Sequence, residues 1–271
     1  MCEKSNAPIG VFDSGVGGLT VVREIMRHLP DENLVYFGDT ARVPYGSKSQ
    51  DSIIRFSRQI IHFLRTKHVK AIVIACNTAS ALALDIVQQE VDIPVIGVIV
   101  PGARAAVKET KNKKVGVLGT EATIKSNMYT KQMQQEDPEV EVIGKACPLF
   151  VPLIEEGFAK HKITKEVIDI YLHEMRESGI DTLILGCTHY PLLRSAISEY
   201  MGEKIHLVNP AYETAMELRA VLQEKGLKNS GDGEFSYEFY SSDAPVKFKI
   251  FANSILPCHI NWIEHINIEE Y

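Results

Sequence analysis

The 271-residue chain is 45% hydrophobic and 24% charged, apolar enough for a packed core, which excludes a disordered or collagen-like polymer. Its 29 basic and 35 acidic residues leave a net charge of −6, which advertises no nucleic-acid surface. The opening MCEKSNAP lacks an apolar leader, and VDIPVIGVIVPG falls short of the ~20 residues of a membrane span, so a soluble, cytoplasmic protein is expected.

Residues 8–12 (PIGVF) predict a buried strand, followed by DSGVGG and a helix with Leu19, Val22, Ile25 and Leu29 on one face. A strand at 33–37 leads through the polar GDTARVPYG to a long helix aligning Ile53, Phe56, Ile60 and Phe63. VKAIVIA at 69–75 reads as a strand covered on both faces. It stops at Cys76-Asn77-Thr78, and a helix carrying Ala79, Leu82, Ala83 and Ile86 follows. A strand at 93–100 is expected to end at Pro101-Gly102. A second series then opens, with strands at 114–118, 140–144, 181–185 and 205–208 separated by helical patterns. The remainder predicts a helix near 213–224, a strand near 237–240 and a helix near 244–255.

Such alternation means open parallel sheets in an α/β protein. The two series also match each other: IGVFDS aligns with VGVLGT, and KAIVIACNT with DTLILGCTH. An internal duplication follows, giving two similar open parallel-sheet α/β domains, and the cleft between them could hold the active site. The first is expected to take residues 1–100 plus 210–271, the second residues 101–209.

The five cysteines, Cys2, Cys76, Cys147, Cys187 and Cys258, include no CxxC pair. That argues against a disulfide framework and against a zinc site of paired ligands, so no metal is expected. Free cysteine is commonly an inert buried side chain, and Cys2, Cys147 and Cys258 are read so. Cys76 and Cys187 differ because the duplication gives them matched places at strand carboxyl ends, where α/β sheets bind ligands. A helix amino terminus there would favour thiolate. Two thiols facing each other suit a nearly mirror-symmetric reaction, in which a proton leaves one face of a carbon and another returns on the opposite face.

The loop Asp13-Ser14-Gly15-Val16-Gly17-Gly18 offers amides and a hydroxyl for an anion. It matches neither the dinucleotide nor the triphosphate glycine pattern, which favours a small carboxylate. Asp13 there handles an ammonium group or a proton, or simply caps the helix. Asn77, Thr78, Thr188 and the loop with Tyr45 and Gly46 supply neutral donors and acceptors. His189 either tunes Cys187 or bonds backbone, and Glu155 and Glu156 read as solvated charges. No lysine stands in a context suggesting a pyridoxal Schiff base.

FDSGVGGLTV at 12–21, GDTARVPYG at 38–46, ACNTAS at 75–80 and GCTHYPLL at 186–193 resemble the signature segments of the bacterial glutamate racemases, within the cofactor-independent aspartate/glutamate racemase family. The resemblance spans nearly the whole chain. It implies interconversion of L- and D-glutamate, which supplies D-glutamate for peptidoglycan and so for cell-wall biogenesis and cell shape. It also implies Cys76 as the base for D-glutamate and Cys187 for L-glutamate, with Asp13 assisting Cys76, and His189 and Glu155 on the Cys187 side. Asp13, Ser14, Tyr45, Gly46, Asn77, Thr78, Thr120, Thr188 and His189 match substrate-binding positions. Related racemases are often homodimers. Asn209-Pro210-Ala211-Tyr212 departs from the family's usual segment there.

Two other functions compete. A racemase for aspartate or another acidic amino acid would use the same thiol logic, and the turnover of the two substrates separates them. A non-catalytic amino-acid-binding module would leave the α-proton unexchanged. A thiol-redox role is disfavoured, since neither thiol has a resolving cysteine nearby in sequence.

Overall fold

The computed structural model describes residues 5–231 and 235–271; Cys2 lies outside them. The first series supplies strands β1 (Ile9–Asp13), β2 (Leu34–Gly38), β3 (Ala71–Ile74) and β4 (Val95–Gly97). Helices α1 (Leu19–His28), α2 (Gln50–Thr66), α3 (Asn77–Leu82), α4 (Leu84–Val87) and α5 (Ile99–Glu109) accompany them. The second supplies β5 (Lys114–Gly119), β6 (Glu141–Ala146), β7 (Thr182–Gly186) and β8 (His206–Val208). Its helices are α6 (Glu121–Lys125), α7 (Met128–Glu136), α8 (Phe150–Glu155), α9 (Lys162–Glu177) and α10 (Arg194–Met201). The chain then runs through α11 (Pro210–Glu224), β9 (Tyr237–Ser241), α12 (Pro245–Ile255) and β10 (Glu264–His265).

All strand pairs are parallel and form two sheets, ordered β10-β9-β2-β1-β3-β4 and β6-β5-β7-β8. Within the first, β2-β1-β3-β4 repeats the order of the second, as the duplicated sequence requires. In both, the chain reverses direction across the sheet beside the first strand. The crevice at such a reversal is where open α/β sheets hold ligands. It lies at the carboxyl ends of β1 and β3 in one lobe and of β5 and β7 in the other.

β1, β2, β3 and β7 are buried at every position, which explains their continuous apolar runs. One face of the first sheet packs Val11, Tyr36 and Val73 against Val22, Leu218 and Phe248 from α1, α11 and α12. The other packs Phe12, Phe37 and Ile74 against Ile53, Ile60 and Phe63 of α2. In the second sheet, Leu183 and Leu185 meet Leu172 of α9 and Ile197 of α10, while Val117 and Ile184 meet Ala103 of α5 and Met133 of α7.

Three expectations need correction. The strand expected at 93–100 is only β4, and α5 begins at Ile99 with Pro101 inside its first turn. Proline is tolerated there because the first-turn N–H groups have no intrahelical acceptor. Residues 79–86 form two short helices broken at Ala83, whose backbone leaves the helical region (φ −121°, ψ −26°). The helix expected near 213–224 starts at Pro210. Asn209 caps it, its Oδ1 accepting from the Ala211 N–H at 3.2 Å, so the Asn-Pro-Ala-Tyr segment is a helix start.

Candidate active site

Cys76 follows β3 and is the residue before α3, its carbonyl accepting from the Ser80 N–H at 2.8 Å. Cys187 follows β7 in the equivalent place, but a short 3-10 turn (Tyr190–Leu193) comes next rather than an α-helix. Both thiols are nearly buried and line one cavity of about 420 Å³ between the lobes. Every site residue expected from sequence reaches its wall except Asp13. Pro148, Val151 and Pro152 add an apolar side from the second lobe.

Asp13 is fully buried at the end of β1. Its Oδ2 accepts from the Gly15 N–H at 3.1 Å, and the Thr188 hydroxyl lies 3.5 Å from Oδ1. Burial pushes its carboxyl up, opposed by the charge of His189 and the amides of Gly18, Gly15 and Ser14. Asp13 thus occupies the Gly15 amide of the glycine loop, while Ser14 and Gly15 themselves reach the cavity wall. The glycines make room for protein side chains as well. A Cβ on Gly17 would fall 2.4 Å from both His189 Nδ1 and Thr188 Oγ1, and one on Gly18 would fall 2.4 Å from Asp13 Cβ.

The thiol environments are unlike. Burial, then the charge of Asp13, pushes the Cys76 thiol up to about 12, so the expected thiolate-favouring helix end does not prevail at this site. Beside Cys187, the Sγ lies 3.9 Å from His189 Nδ1, while His189 Nε2 lies 2.9 Å from Glu155 Oε1 at the end of α8. Burial pulls His189 down, but its bonds to Cys187 and Glu155 outweigh that and hold it up at about 10. Carried as an imidazolium, the ring would donate one N–H toward the sulfur and the other to the carboxylate. Burial pushes Glu155 up, yet its bond to His189 leaves it below the usual carboxylate range. Glu156, by contrast, is a surface partner of Lys247 at 3.1 Å.

The remaining polar groups tie the lobes together. The Thr78 hydroxyl lies 2.9 Å from that of Thr120, which also accepts from the Thr123 N–H and so caps α6. Thr20 Oγ1 donates to the Thr188 carbonyl at 2.8 Å. Gly46 approaches Thr120 so closely that a Cβ would lie 2.7 Å from Thr120 Cβ. Sequence reasoning missed Asp39, a fully buried carboxylate that accepts from the Tyr45 phenol, from Arg42 Nε at 2.7 Å and from the Ser242 hydroxyl at 2.8 Å. Its only signal was a place inside GDTARVPYG. The Tyr45 hydroxyl is thus engaged within the wall, and Gly46 contributes backbone to the cavity.

Cys147 is buried beneath the second lobe, and Cys258 is partly buried in the first. Among the described residues, no group of three His, Cys, Asp or Glu side chains could hold a metal ion, and no helix is long and apolar enough to cross a membrane.

Duplicated α/β lobes bring matched thiols to one cavity, an arrangement suited to chemistry on both faces of a carbon. The family model described as Asp/Glu/Hydantoin racemase matches residues 9–218, and the chain belongs to that family. It is 47% identical over 261 residues to the glutamate racemase of Geobacter metallireducens, covering 96% of this chain and 97% of that one. The structure superposes on a glutamate racemase isoform from Bacillus anthracis with a TM-score of 0.93 at 41% identity, covering 97% and 98% of the two chains. The glutamate racemase of Francisella tularensis, solved in complex with D-glutamate, gives 0.92 at 42% identity, covering 98% and 100%.

Proposed function

We propose that this protein interconverts L- and D-glutamate by proton transfer between two thiols, Cys76 and Cys187, and supplies D-glutamate for peptidoglycan. The observation that carries the reading is the placing of both thiols, at equivalent strand ends, on one cavity between the lobes. The glutamate racemases to which the chain is similar along nearly its whole length support the substrate.

Cys187 removes the α-proton of L-glutamate as thiolate, beside the cationic His189 that Glu155 anchors. Cys76, held protonated by burial and Asp13, delivers its proton to the opposite face. Product release leaves the thiol and thiolate exchanged, and D-glutamate runs the steps in reverse. The carbon acid is weak, so the developing carbanion needs fixed donors around the carboxylate and exclusion of water. Ser14, Asn77, Thr78, Thr120 and Thr188, with the backbone at Gly46, supply donors at the cavity wall. No cofactor takes part in this scheme.

The same reading divides the chain into domains 1–100 plus 210–271 and 101–209, supported by the separate sheets. It expects the cytoplasm, where unpaired thiols such as those of Cys76, Cys147, Cys187 and Cys258 persist. A homodimer is supported by the exposed apolar side chains of Val246 and Ile250 on α12.

The test is loss of the circular-dichroism signal of D-glutamate with no cofactor added. Cys76→Ser and Cys187→Ser should each nearly abolish it. Full racemisation by both variants in deuterated water, with unchanged label uptake, would overturn the two-thiol scheme.

A further inference from the structure

Asn77 follows Cys76 at the start of α3 and lines the cavity. Its carbonyl Oδ1 lies 2.7 Å from the phenol oxygen of Tyr129 on α7. Cys76 and Ala79, either side of Asn77 on the chain, pack in the core of the first sheet, and Tyr129 packs in that of the second, so this hydrogen bond crosses between the lobes. The Tyr129 ring is buried, with Gly186 close beside it; a Cβ there would fall 3.1 Å from ring Cε2. Among the described residues, the phenol has no other hydrogen-bond partner, and Asn77 Nδ2 has none.

These contacts fix a direction. If the Asn77 amide were turned over, the buried phenol proton would have no acceptor, a costly state in a low-dielectric interior. We propose that Tyr129 is a positioning residue that sets the polarity of Asn77: its phenol ties down Oδ1, so Nδ2 is presented to the cavity as a donor for a carboxylate oxygen of the substrate. Burial and the charge of Cys187 both push the Tyr129 phenol up, so it keeps its proton across the working pH range. A donor attached beside Cys76 is thereby oriented from the lobe that carries Cys187. Without the phenol, the amide is free to turn its carbonyl toward the cavity, where it would repel a carboxylate.

This inference rests on glutamate being the substrate. The experiment is a double-mutant cycle on Tyr129→Phe and Asn77→Ala, read as kcat and KM for D-glutamate and as Kd by calorimetry. Tyr129→Phe should raise KM and Kd about tenfold with a smaller change in kcat, while thermal melting shows it folded. Added to Asn77→Ala, it should change KM and Kd by less than about twofold. An equal loss in both backgrounds, or an unchanged KM in Tyr129→Phe, overturns the proposal. Failure of the unsubstituted protein to racemise glutamate while still binding it would count against the proposed reaction alone, because the Kd cycle still reads the Tyr129–Asn77 coupling. If it does not bind glutamate at all, both readings fall.

Discussion

Glu155 accepts a hydrogen bond from His189 through Nε2 at 2.9 Å, leaving Nδ1 of the same ring to face the Cys187 sulfur. A carboxylate at the end of a short helix thereby fixes both the charge and the orientation of the group beside the thiol.

Replacing Glu155 with Gln removes one of the two partners that hold His189 up at about 10, so the ring should titrate closer to its ordinary 6.5. Histidine NMR across pH 6 to 11 would follow this. Turnover starting from L-glutamate should fall by roughly 100-fold, within the range usual for general acid–base groups. An unmoved His189 titration would remove Glu155 from this role.

The same histidine makes folding stability depend on pH. Its value in the folded protein lies above the ordinary one, so its contribution is fully present below about pH 6.5 and is lost as pH rises through about 10. Cys76, raised from 9.0 to about 12, adds a loss of the same sign further up. Urea midpoints of the unsubstituted protein should therefore decline between pH 7 and 10 more steeply than those of His189→Asn. Parallel curves would contradict the assigned protonation.

At Cys76, burial is the largest influence and the charge of Asp13 the second. Asp13→Asn, made in a Cys187→Ser protein, should lower the Cys76 value and speed its alkylation by iodoacetamide at pH 8 by about tenfold, since the thiolate is the reacting species. Mass spectrometry of the Cys76 peptide reads the rate. Slower labelling would contradict the assigned effect of Asp13.

Gly17→Ala places a methyl group 2.4 Å from His189 and Thr188. Relief requires the Thr188 and His189 side chains, or the lobe that carries them, to shift, with a stability loss of about 1–3 kcal/mol of the kind seen on overpacking and a larger loss of turnover. Thermal melting and racemisation assays check both. Near-normal activity would mean that the loop and His189 are not in such close contact during turnover.

The duplicated sheet order was readable because buried parallel strands write themselves as apolar runs, such as AIVI at β3 and LILG within β7. The places of Cys76 and Cys187 followed from matched sequence around them. Asp39 and Tyr129 were not readable as parts of the site. Tyr129 meets Asn77 from another element 52 residues on, and Asp39 meets Ser242 across 203 residues; no local spacing encodes such meetings, and the nearby Arg42 and Tyr45 do not by themselves say that Asp39 is buried. The neighbours of Gly17 were unreadable for a similar reason. Glycine signals close approach, but the sequence does not say that Thr188 and His189, rather than a ligand, fill the space.

The edge of the first sheet is completed by β9 and β10, laid in parallel beside β2 from the far end of the chain. The second sheet needs only the contiguous residues 114–208. On the ribosome, the lobe bearing Cys187 has all its strands while the earlier-made lobe bearing Cys76 still has β2 as an open edge awaiting residues 237–265. Synthesis proceeds from the amino terminus, yet the two halves of the thiol pair are finished in the opposite order. The unpaired backbone of β2 during that interval is the point on the nascent chain most in need of protection from pairing with another molecule.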